Sequence, residues 1–522
     1  MLQRHIRVAA TRAVRHFTAA IQAAEAVASS KIDQQTTASP SSSSSSGGGR
    51  DTLGRRLFAL VHPKRSAVVT IRKWKEEGNV VRKYELNRIV RELRRLKRYK
   101  HALEICEWMR TQEDIKLLPG DYAVHLDLIA KIRGLNSAEK FFEDMPEEMR
   151  RAPTLSALLH TYVQHHAYAE AEALMEKMTE CGYVECPLPY NHMISMYLEN
   201  GQLDKIPRLI NELKKNATPD IVTYNLWLTM CQSQDGVETA ENVLLDMMKA
   251  KIEPDWMTYS ILTSLYTKKQ LDDKAEATLK EMEKRITRKN RAAYASLISL
   301  HTNLKKRNGV HAIWKKMKIL FRKLNDSEYN CMISSLIKLG ELQEAEKLYT
   351  EWELVSTTGD SRIPNLLIAA YINMDQVQRA MKFYDRIAHK GIKPSYTTWE
   401  LLTWGYLKER KIDQMLDCFE KAVSSVKKWD PDEKIIREMY RHIEEQGNVD
   451  GAEKLLSVLR KAGYVTTEIY NLLLRTYAKA GKMPSIIAER MAKDKVVSDE
   501  ETEELVRLTS KMCVADVSSF LA

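Results

Sequence analysis

The chain has 522 residues, of which 44% are apolar, and its 81 Lys and Arg outnumber 70 Asp and Glu to give a formal net charge of +11. This apolar content is enough for a packed core, which excludes wholesale disorder. The 19 glycines and 14 prolines are too few for a β-sandwich or propeller with frequent turns, and seven scattered cysteines argue against a disulfide-framed secreted protein. The sequence has no apolar run long enough to cross a bilayer, so it predicts no membrane partner.

Residues 1–30 have the composition of an organellar transit peptide. They are amphipathic, and their first acidic residue is Glu25. The arginines that interrupt any continuous apolar core, as a secretory signal would need, are Arg4, Arg7, Arg12 and Arg15. Modest serine content favours the mitochondrion, with the chloroplast as the alternative location, and an ordinary surface helix is the alternative structure. Residues 31–50 are rich in Ser and Gly and predict a disordered linker.

Residues 51–82 form a basic N-terminal head, and the positive charge continues past it. Residues 50–100 hold 17 basic and 5 acidic side chains, whereas residues 101–522 hold 59 basic and 63 acidic ones. Four arginines step by three, four and three residues and are expected to share a helix face: Arg88, Arg91, Arg95 and Arg98. This face is predicted to contact RNA phosphates, and the alternative is a solvated face that only keeps the protein soluble.

From residue 83 onward the sequence repeats with a period of about 35. The tyrosines at 224, 259, 294 and 329 are each 35 residues apart, and the pattern extends to twelve units that start at 83, 122, 152, 187, 221, 256, 291, 326, 361, 396, 432 and 467. An alanine follows 16 residues after the tyrosine position, as at Ala240 and Ala275, and helical periodicity fills the space between. Each unit therefore predicts two antiparallel helices.

Glycine and proline mark the ends of these helices. The glycines between the two helices of a unit, where a left-handed C-cap is favoured, are Gly201, Gly340, Gly447 and Gly481. Pro219, Pro254 and Pro394 fall between units, where a helix must stop. The sequence thus predicts an all-α solenoid of about twelve helix–turn–helix repeats over residues 83–497, closed by a capping helix over 498–522.

The repeat resembles the pentatricopeptide repeat of the plant organellar P class. It has an aromatic residue at position 4, Asn or Ser at 5, Ala at 20, Met at 27 and Pro-Asp at 34–35, whereas the tetratricopeptide repeat runs at 34 residues without the terminal Pro-Asp. The start of the array, with Trp74, Gly78 and Trp108, is similar to a subfamily that includes mitochondrial ribosome-associated members. The resemblance implies a right-handed superhelix that binds single-stranded RNA along its concave face.

The resemblance also assigns roles to positions in each repeat. Positions 5 and 35 would read base edges, since amides and carboxylates can match exposed donors and acceptors. The predicted base-reading residues are Asn191, Asp220, Asn225, Asp255, Ser260, Asn290, Asn330, Asp360, Asn365 and Ser395. Position 2 would wedge between bases, at Leu188, Val222 and Met257. By the family's code the Asn–Asp pairs favour uridine, Ser260–Asn290 adenine and Asn365–Ser395 cytidine.

One observation and one alternative role weaken this assignment. Ala295, Glu400 and Ile436 occupy position 5 in other repeats and break the pattern. The alternative role for an asparagine at position 5 is to cap the first helix of its repeat.

Phosphate-loop, dinucleotide, zinc-protease and nucleophile-elbow motifs are all missing from the sequence. The sequence therefore predicts no catalytic residue, no cofactor, no metal and no small-molecule substrate. A group of polar residues that could suggest a metal site is better explained as a helix boundary: His160, His165, His166 and Glu170.

Three functions remain open. The first is a non-catalytic protein that binds single-stranded RNA and supports mitochondrial RNA metabolism or translation. The second is a component or associate of the mitochondrial ribosome, whose head contacts ribosomal RNA and whose partners include ribosomal proteins. The third is a helical-repeat scaffold that binds only proteins.

Overall fold

A computed structural model describes residues 51–60, 65–356, 359–426, 429–484 and 486–520, with residues 511–520 described by their backbone alone. The predicted transit peptide (1–30) and linker (31–50) lie outside the described residues. The structure is built from helices joined by short turns. No helix within the described ranges is both long and apolar enough to span a bilayer.

The α-helices of the described residues are, in chain order, α1 (Leu53–Phe58), α2 (Ala67–Glu76), α3 (Lys83–Arg95), α4 (Tyr99–Arg110), α5 (Pro119–Arg133), α6 (Leu135–Glu143), α7 (Ala152–Gln164), α8 (Tyr168–Glu180), α9 (Pro187–Asn200), α10 (Ile206–Asn216), α11 (Ile221–Ser233), α12 (Val237–Lys249), α13 (Trp256–Lys268), α14 (Asp272–Arg285), α15 (Arg291–Asn303), α16 (Arg307–Leu320), α17 (Asp326–Lys338), α18 (Leu342–Val355), α19 (Arg362–Asn373), α20 (Val377–His389), α21 (Tyr396–Lys408), α22 (Ile412–Ser424), α23 (Glu433–Glu445), α24 (Val449–Lys461), α25 (Thr467–Lys479), α26 (Ile487–Lys493) and α27 (Glu500–Phe520).

Helices α3 to α26 form twelve consecutive pairs, which we number repeat 1 (α3 and α4) to repeat 12 (α25 and α26). The all-α solenoid predicted from the sequence is confirmed. The predicted starts at 361 and 432 differ by one residue from the observed helix starts, and the start at 122 is wrong, because the first helix of repeat 2 begins at Pro119. Proline is preorganised for the first position of a helix, so α5 starts there.

Contacts divide the chain after Arg285 into two compact units. Within each unit, the first helix of a repeat packs on its own second helix and on the first helix of the next repeat. The predicted alanines allow this close approach because they carry only a methyl group, and each is fully buried: Ala171, Ala240, Ala275, Ala345 and Ala380. A single hairpin could not bury its apolar face, so the stacking of neighbours builds each core.

The basic head is folded onto the array. Leu53 and Ile71 from α1 and α2 are buried in the same core cluster as Leu86 of repeat 1. The Glu104 carboxylate accepts hydrogen bonds from the Ser66 hydroxyl at 3.0 Å and from the Ala67 backbone N–H at 2.7 Å. These contacts fix the head against repeat 1.

Candidate nucleic-acid interface

Residues at position 35 start the first helix of the following repeat. Asp220, Asp255, Asn290 and Ser395 each occupy an N-cap, where the side-chain oxygen accepts from a backbone N–H of the first turn. Asp220 Oδ1, for example, accepts from the Thr223 N–H at 2.8 Å. A short polar side chain satisfies one of the N–H groups that a helix start leaves unpaired, which is why these residue types recur here.

Three side chains meet at the boundary between repeats 4 and 5. Asn191, at position 5 of repeat 4, donates through Nδ2 to Asp220 Oδ1 at 3.1 Å. Thr223, at position 3 of repeat 5, donates through its hydroxyl to Asn191 Oδ1 at 2.8 Å. We call this arrangement of a position-5 asparagine, a position-35 residue and a position-3 threonine of the next helix the inter-repeat cluster.

The inter-repeat cluster recurs between repeats 5 and 6. Asn225 donates to Asp255 Oδ1 at 3.3 Å, and the Thr258 hydroxyl donates to Asn225 Oδ1 at 2.7 Å. Asn225 and Thr258 are both buried. Because the threonine occupies the amide oxygen, it fixes which end of the amide faces the position-35 residue.

Each of these clusters keeps hydrogen-bonding capacity for an external partner. Asp220 Oδ1 accepts from the Thr223 N–H and from Asn191, and neither bond uses Oδ2. An asparagine amide has two N–H donors, and only one is used by the aspartate. One amide donor and one carboxylate acceptor therefore remain per cluster, and both are groups that can recognise a base edge.

The alternative role of the position-5 asparagines, as N-caps, is wrong. Asn225 is the fifth residue of α11, and the cap of that helix is Asp220. The capping role belongs to position 35, because that residue precedes the first helical turn and its backbone is extended there.

Repeat 9 contains a variant of the cluster. Asn365 donates to Ser395 Oγ at 3.3 Å and accepts from the Thr398 hydroxyl at 2.9 Å. The serine offers a hydroxyl instead of a carboxylate, so the chemical character of the pair changes while its geometry is kept.

The expected pair Asn330–Asp360 is not brought together in the same way. The Asp360 carboxylate instead accepts from Arg362 Nε at 2.9 Å, and this contact holds the pKa of Asp360 below its ordinary value. Helix α19 begins at Arg362 with Ser361 at its N-cap, so Asp360 lies one residue earlier than the other position-35 caps, and its Oδ1 accepts from the Arg362 N–H at 3.0 Å. The residues of another predicted pair, Ser260 and Asn290, lie in different units. Half-buried Ser260 lies on α13 in the first unit, and Asn290 caps α15 in the second unit.

A cluster that was not predicted from the sequence lies at the end of the array. Asn471 of repeat 12 donates to Asp499 Oδ1 at 3.1 Å, and the Thr502 hydroxyl donates to Asn471 Oδ1 at 2.6 Å. The Thr502 amide and hydroxyl hold the pKa of Asp499 below its ordinary value, as does Asn471. The signal was present, since Tyr470–Asn471 continues the aromatic–Asn pattern of the 35-residue step.

The three predicted wedge residues share one location. Leu188, Val222 and Met257 are each the second residue of a first helix, and each is half-buried. Their apolar side chains are therefore partly accessible beside the clusters of repeats 4 to 6. In repeats 8 to 10 the equivalent residues are polar and exposed: Ser327, Arg362 and Thr397.

The four predicted phosphate-binding arginines do not share one helix. Helix α3 ends at Arg95, and Lys97 adopts a left-handed backbone, so Arg98 lies at the start of α4. The Arg98 guanidinium donates to the Phe58 carbonyl at 2.7 Å and ties the head to repeat 1. Exposed Arg88 and half-buried Arg91 remain on α3 with exposed Arg95, which bonds Glu92 within its own helix.

The histidines do not assemble a metal site. Across the described part of the chain, no group of three or more His, Cys, Asp or Glu side chains could hold a metal ion. His160 is buried beside His192, with ring centroids 4.6 Å apart, while exposed His166 contacts the Tyr168 hydroxyl. Burial lowers the pKa of His125 to about 4, so the imidazole of this histidine carries no positive charge at neutral pH.

Family comparisons identify the repeats. The family described as "PPR repeat family" matches residues 189–231 and 219–268, and the one described as "PPR repeat" matches residues 153–183, 257–285 and 329–354. A mitochondrial pentatricopeptide repeat-containing protein of Arabidopsis thaliana is 65% identical over 473 residues, which cover 91% of this chain and 89% of the relative. A second mitochondrial protein of that family and organism is 40% identical over 200 residues, covering 38% of this chain and 49% of the relative.

Solved structures of a maize pentatricopeptide repeat protein are similar at low identity. One covers 89% of this chain and 76% of its own, with a TM-score of 0.39 at 18% identity. The same maize protein in complex with an 18-nucleotide psaJ RNA element covers 98% of this chain and 89% of its own, with a TM-score of 0.33 at 16% identity.

Proposed function

The chain belongs to the pentatricopeptide repeat family, and from this premise we propose that it binds single-stranded RNA in the mitochondrion and reads bases through its inter-repeat clusters. Membership in this family also means that the chain is not an enzyme. Its mitochondrial location follows from the relatives named as mitochondrial. The RNA contact and its residues are our proposal.

The recurrence of the cluster carries the proposal. Clusters with a carboxylate occur at the ends of repeats 4, 5 and 12, and those of repeats 4 and 5 each leave one amide donor and one carboxylate oxygen without an internal bond. In repeat 12 the Asn471 amide also donates to Asp499 Oδ2 at 3.2 Å and to Glu501 Oε2 at 3.4 Å, so this cluster is satisfied internally. A uracil edge presents one N–H donor and flanking carbonyl acceptors, so it matches the free donor and acceptor of repeats 4 and 5.

The pattern of clusters predicts the type of ligand. Repeats 4 and 5 would each take a uridine. Repeat 9, with Asn365 and Ser395, would take a cytidine. Asn330 with Asp360 would favour uridine, although the Arg362 contact makes Asp360 the weakest reader of the set.

The double variant Asp220→Asn/Asp255→Asn tests base reading directly. Asparagine is as good an N-cap as aspartate, so the fold should be kept. The lost carboxylate acceptors should reduce the preference for uridine at two nucleotides by about tenfold each, since a hydrogen bond contributes about 1–1.5 kcal/mol. The measurement is the dissociation constant for a U-rich, A-containing RNA and for its scrambled counterpart, with the mature chain.

Exposed asparagines outside the clusters provide the matched control. Asn211 and Asn303 are exposed on α10 and α15, and Asn211→Ala/Asn303→Ala should leave the preference unchanged. If the unaltered chain binds both RNAs equally, base reading by this array is refuted. If the double variant keeps the full uridine preference, the clusters serve only to join repeats.

A second candidate function is supported by the folded basic head. We propose that the head binds structured RNA such as that of the mitochondrial ribosome. The Arg98–Phe58 contact holds the head on repeat 1. A tagged protein should then co-sediment with ribosomal subunits at low salt and be released at high salt, because phosphate contacts are salt-sensitive. Sedimentation away from the subunits at low salt would exclude this function and leave transcript binding.

A further inference from the structure

A strongly basic segment lies inside the otherwise acidic array. Residues 286–325 contain 11 Lys and Arg and no Asp or Glu, while the rest of residues 101–522 contains 48 basic and 63 acidic residues. The segment comprises repeat 7, with α15 and α16, and the turns on either side of it. Such a concentration of like charge raises the energy of the isolated protein, so it calls for a compensating partner.

Part of this charge is neutralised by repeat 8. The Arg291 guanidinium contacts both Glu328 carboxylate oxygens at 2.8 Å. Lys318 pairs with Glu351 at 2.7 Å, and Arg307 lies 3.7 Å from Glu341. Each helix of repeat 7 thus has an acidic partner in repeat 8. These ion pairs do not involve the basic residues in the turns on either side of repeat 7.

The turns that flank repeat 7 carry two Arg–Lys dipeptides. Arg288–Lys289 precede the cap Asn290 of α15, and Arg322–Lys323 follow 34 residues later, shortly before the cap Asn325 of α17. All four side chains are exposed, and among the described residues none of them forms an ion pair. Their exposed charge is therefore open to a polyanion.

These turns differ from the corresponding turns of other repeats. Repeats 4 and 5 place Pro-Asp immediately before the next first helix, at Pro219–Asp220 and Pro254–Asp255. In repeat 7 the position-5 residue is Ala295, whose methyl group cannot recognise a base edge. Repeat 7, which lacks a base reader at position 5, is thus flanked by four exposed cations on the side of the position-35 caps.

We propose that repeat 7 binds the RNA backbone, with Arg288, Lys289, Arg322 and Lys323 contacting phosphates where no base is read. This inference rests on the proposed RNA-binding function and adds a phosphate site within the array. Guanidinium and ammonium groups are the usual phosphate partners, and their contacts carry affinity without sequence information. Repeat 7 would thereby hold the strand where no base is read.

The test uses the full chain with all four cations neutralised as Arg288→Gln, Lys289→Gln, Arg322→Gln and Lys323→Gln. The dissociation constant is measured for the U-rich RNA and its scrambled counterpart at several salt concentrations. Each phosphate contact to a single strand contributes about 0.7 to the slope of log affinity against log salt. We expect the slope to become shallower by about 2 to 3 and affinity near physiological salt to fall at least tenfold for both RNAs, with the ratio between them retained.

A second variant removes the same charge elsewhere. Four exposed lysines on second helices of repeats 4, 6, 9 and 11 supply it: Lys215, Lys280, Lys382 and Lys454. Their conversion to Gln should leave the slope nearly unchanged, and circular dichroism should show both variants folded. An equal loss in this control would mean that only net charge matters, which overturns the site.

The outcomes separate this inference from the function on which it rests. An unchanged slope in the repeat 7 variant, with uridine preference intact in both proteins, overturns the phosphate site alone. Failure of the unaltered chain to bind any RNA overturns both. Loss of preference without a change in slope would place these residues in base reading and would also contradict the inference.

Discussion

The position-5 asparagines take part in the fold and remain available for a ligand. In the clusters of repeats 4 and 5 the asparagine amide is buried, yet the bonds inside the protein use only its oxygen and one of its two N–H groups. The remaining donor is oriented by the position-35 residue and by the position-3 threonine of the next repeat. Preorganisation of this kind lowers the entropy that binding would otherwise cost.

At the residue scale, we predict that the position-3 threonine sets the orientation of the asparagine amide. Thr258→Val keeps the shape of the side chain but removes the hydroxyl that donates to Asn225 Oδ1 at 2.7 Å. The buried amide oxygen loses its partner, so the free energy of unfolding should fall by about 1–3 kcal/mol. Preference for uridine at the nucleotide of repeat 5 should fall as well, measured by binding to RNAs that differ at that nucleotide.

Another buried threonine in the same helix serves as the control. The Thr263 hydroxyl donates to the Tyr259 carbonyl at 2.7 Å, away from the cluster. Thr263→Val should also alter stability but should leave base preference intact. Equal preference in Thr258→Val and the unaltered chain would show that Asp255 alone holds the amide.

At the scale of the element, the turn inside each repeat requires one residue with a left-handed backbone. Gly201, Gly340, Gly447 and Gly481 meet this need with φ between +59° and +79°. In other repeats a residue with a side chain takes the same place: Lys97, His166, Asp235, Gln270, Lys305, Asp375 and Arg410. The tightly packed helix pair imposes the conformation even where the residue disfavours it.

Opposite substitutions at this turn should therefore have opposite effects. Lys305→Gly relieves a φ of +56° and should raise the free energy of unfolding by about 0.5–1 kcal/mol. Gly340→Ala should lower it by about 1 kcal/mol, and the cause is the backbone alone, because an added Cβ would meet no atom within 4 Å. Denaturant unfolding of the full chain measures the change in the free energy of unfolding for both variants. Destabilisation by Lys305→Gly would contradict this prediction, because it would show that the lysine side chain makes a contact that outweighs the backbone strain.

At the scale of the whole molecule, the formal charge of +11 is the sum of separated regions of opposite sign. Residues 50–100 and 286–325 are strongly basic, and most of the array around them is acidic. The clusters that we propose to discriminate bases lie outside these two regions, since neither region contains Asn191 or Asn225. Affinity and selectivity are thus expected to be encoded by different parts of the chain.

The head should consequently affect affinity without affecting selectivity. Arg88→Glu/Arg91→Glu/Arg95→Glu reverses three charges of α3, and we expect RNA binding to weaken at least tenfold for every sequence, with a shallower salt dependence. The matched control is Lys215→Glu/Lys382→Glu/Lys454→Glu, which changes net charge equally on second helices of the array. Comparable loss in the control, or an altered ratio between U-rich and scrambled RNA in the head variant, would contradict this division.

The sequence by itself determined the fold class, the number of repeats and nearly every helix start, because a 35-residue period in apolar residues, alanine and turn residues reports directly on stacked helix pairs. It did not locate the start at Pro119, the end of α3 before Arg98 or the diversion of Asp360 to Arg362. Each of these depends on which of several close residues the packing selects as the end of a helix. Periodicity in a sequence is insensitive to such shifts of one to three residues.

The inter-repeat clusters were decided by the tertiary structure alone. The resemblance to the pentatricopeptide repeat paired Asn191 with Asp220, but the bond of Thr223 to the asparagine, 32 residues away in the sequence, follows only from the contact between successive first helices. The same contact decided that position 35, and not position 5, caps the helix. A repeat fixes which residues are equivalent, whereas the packing of one repeat on the next fixes which atoms meet, and the second depends on distances that no period contains.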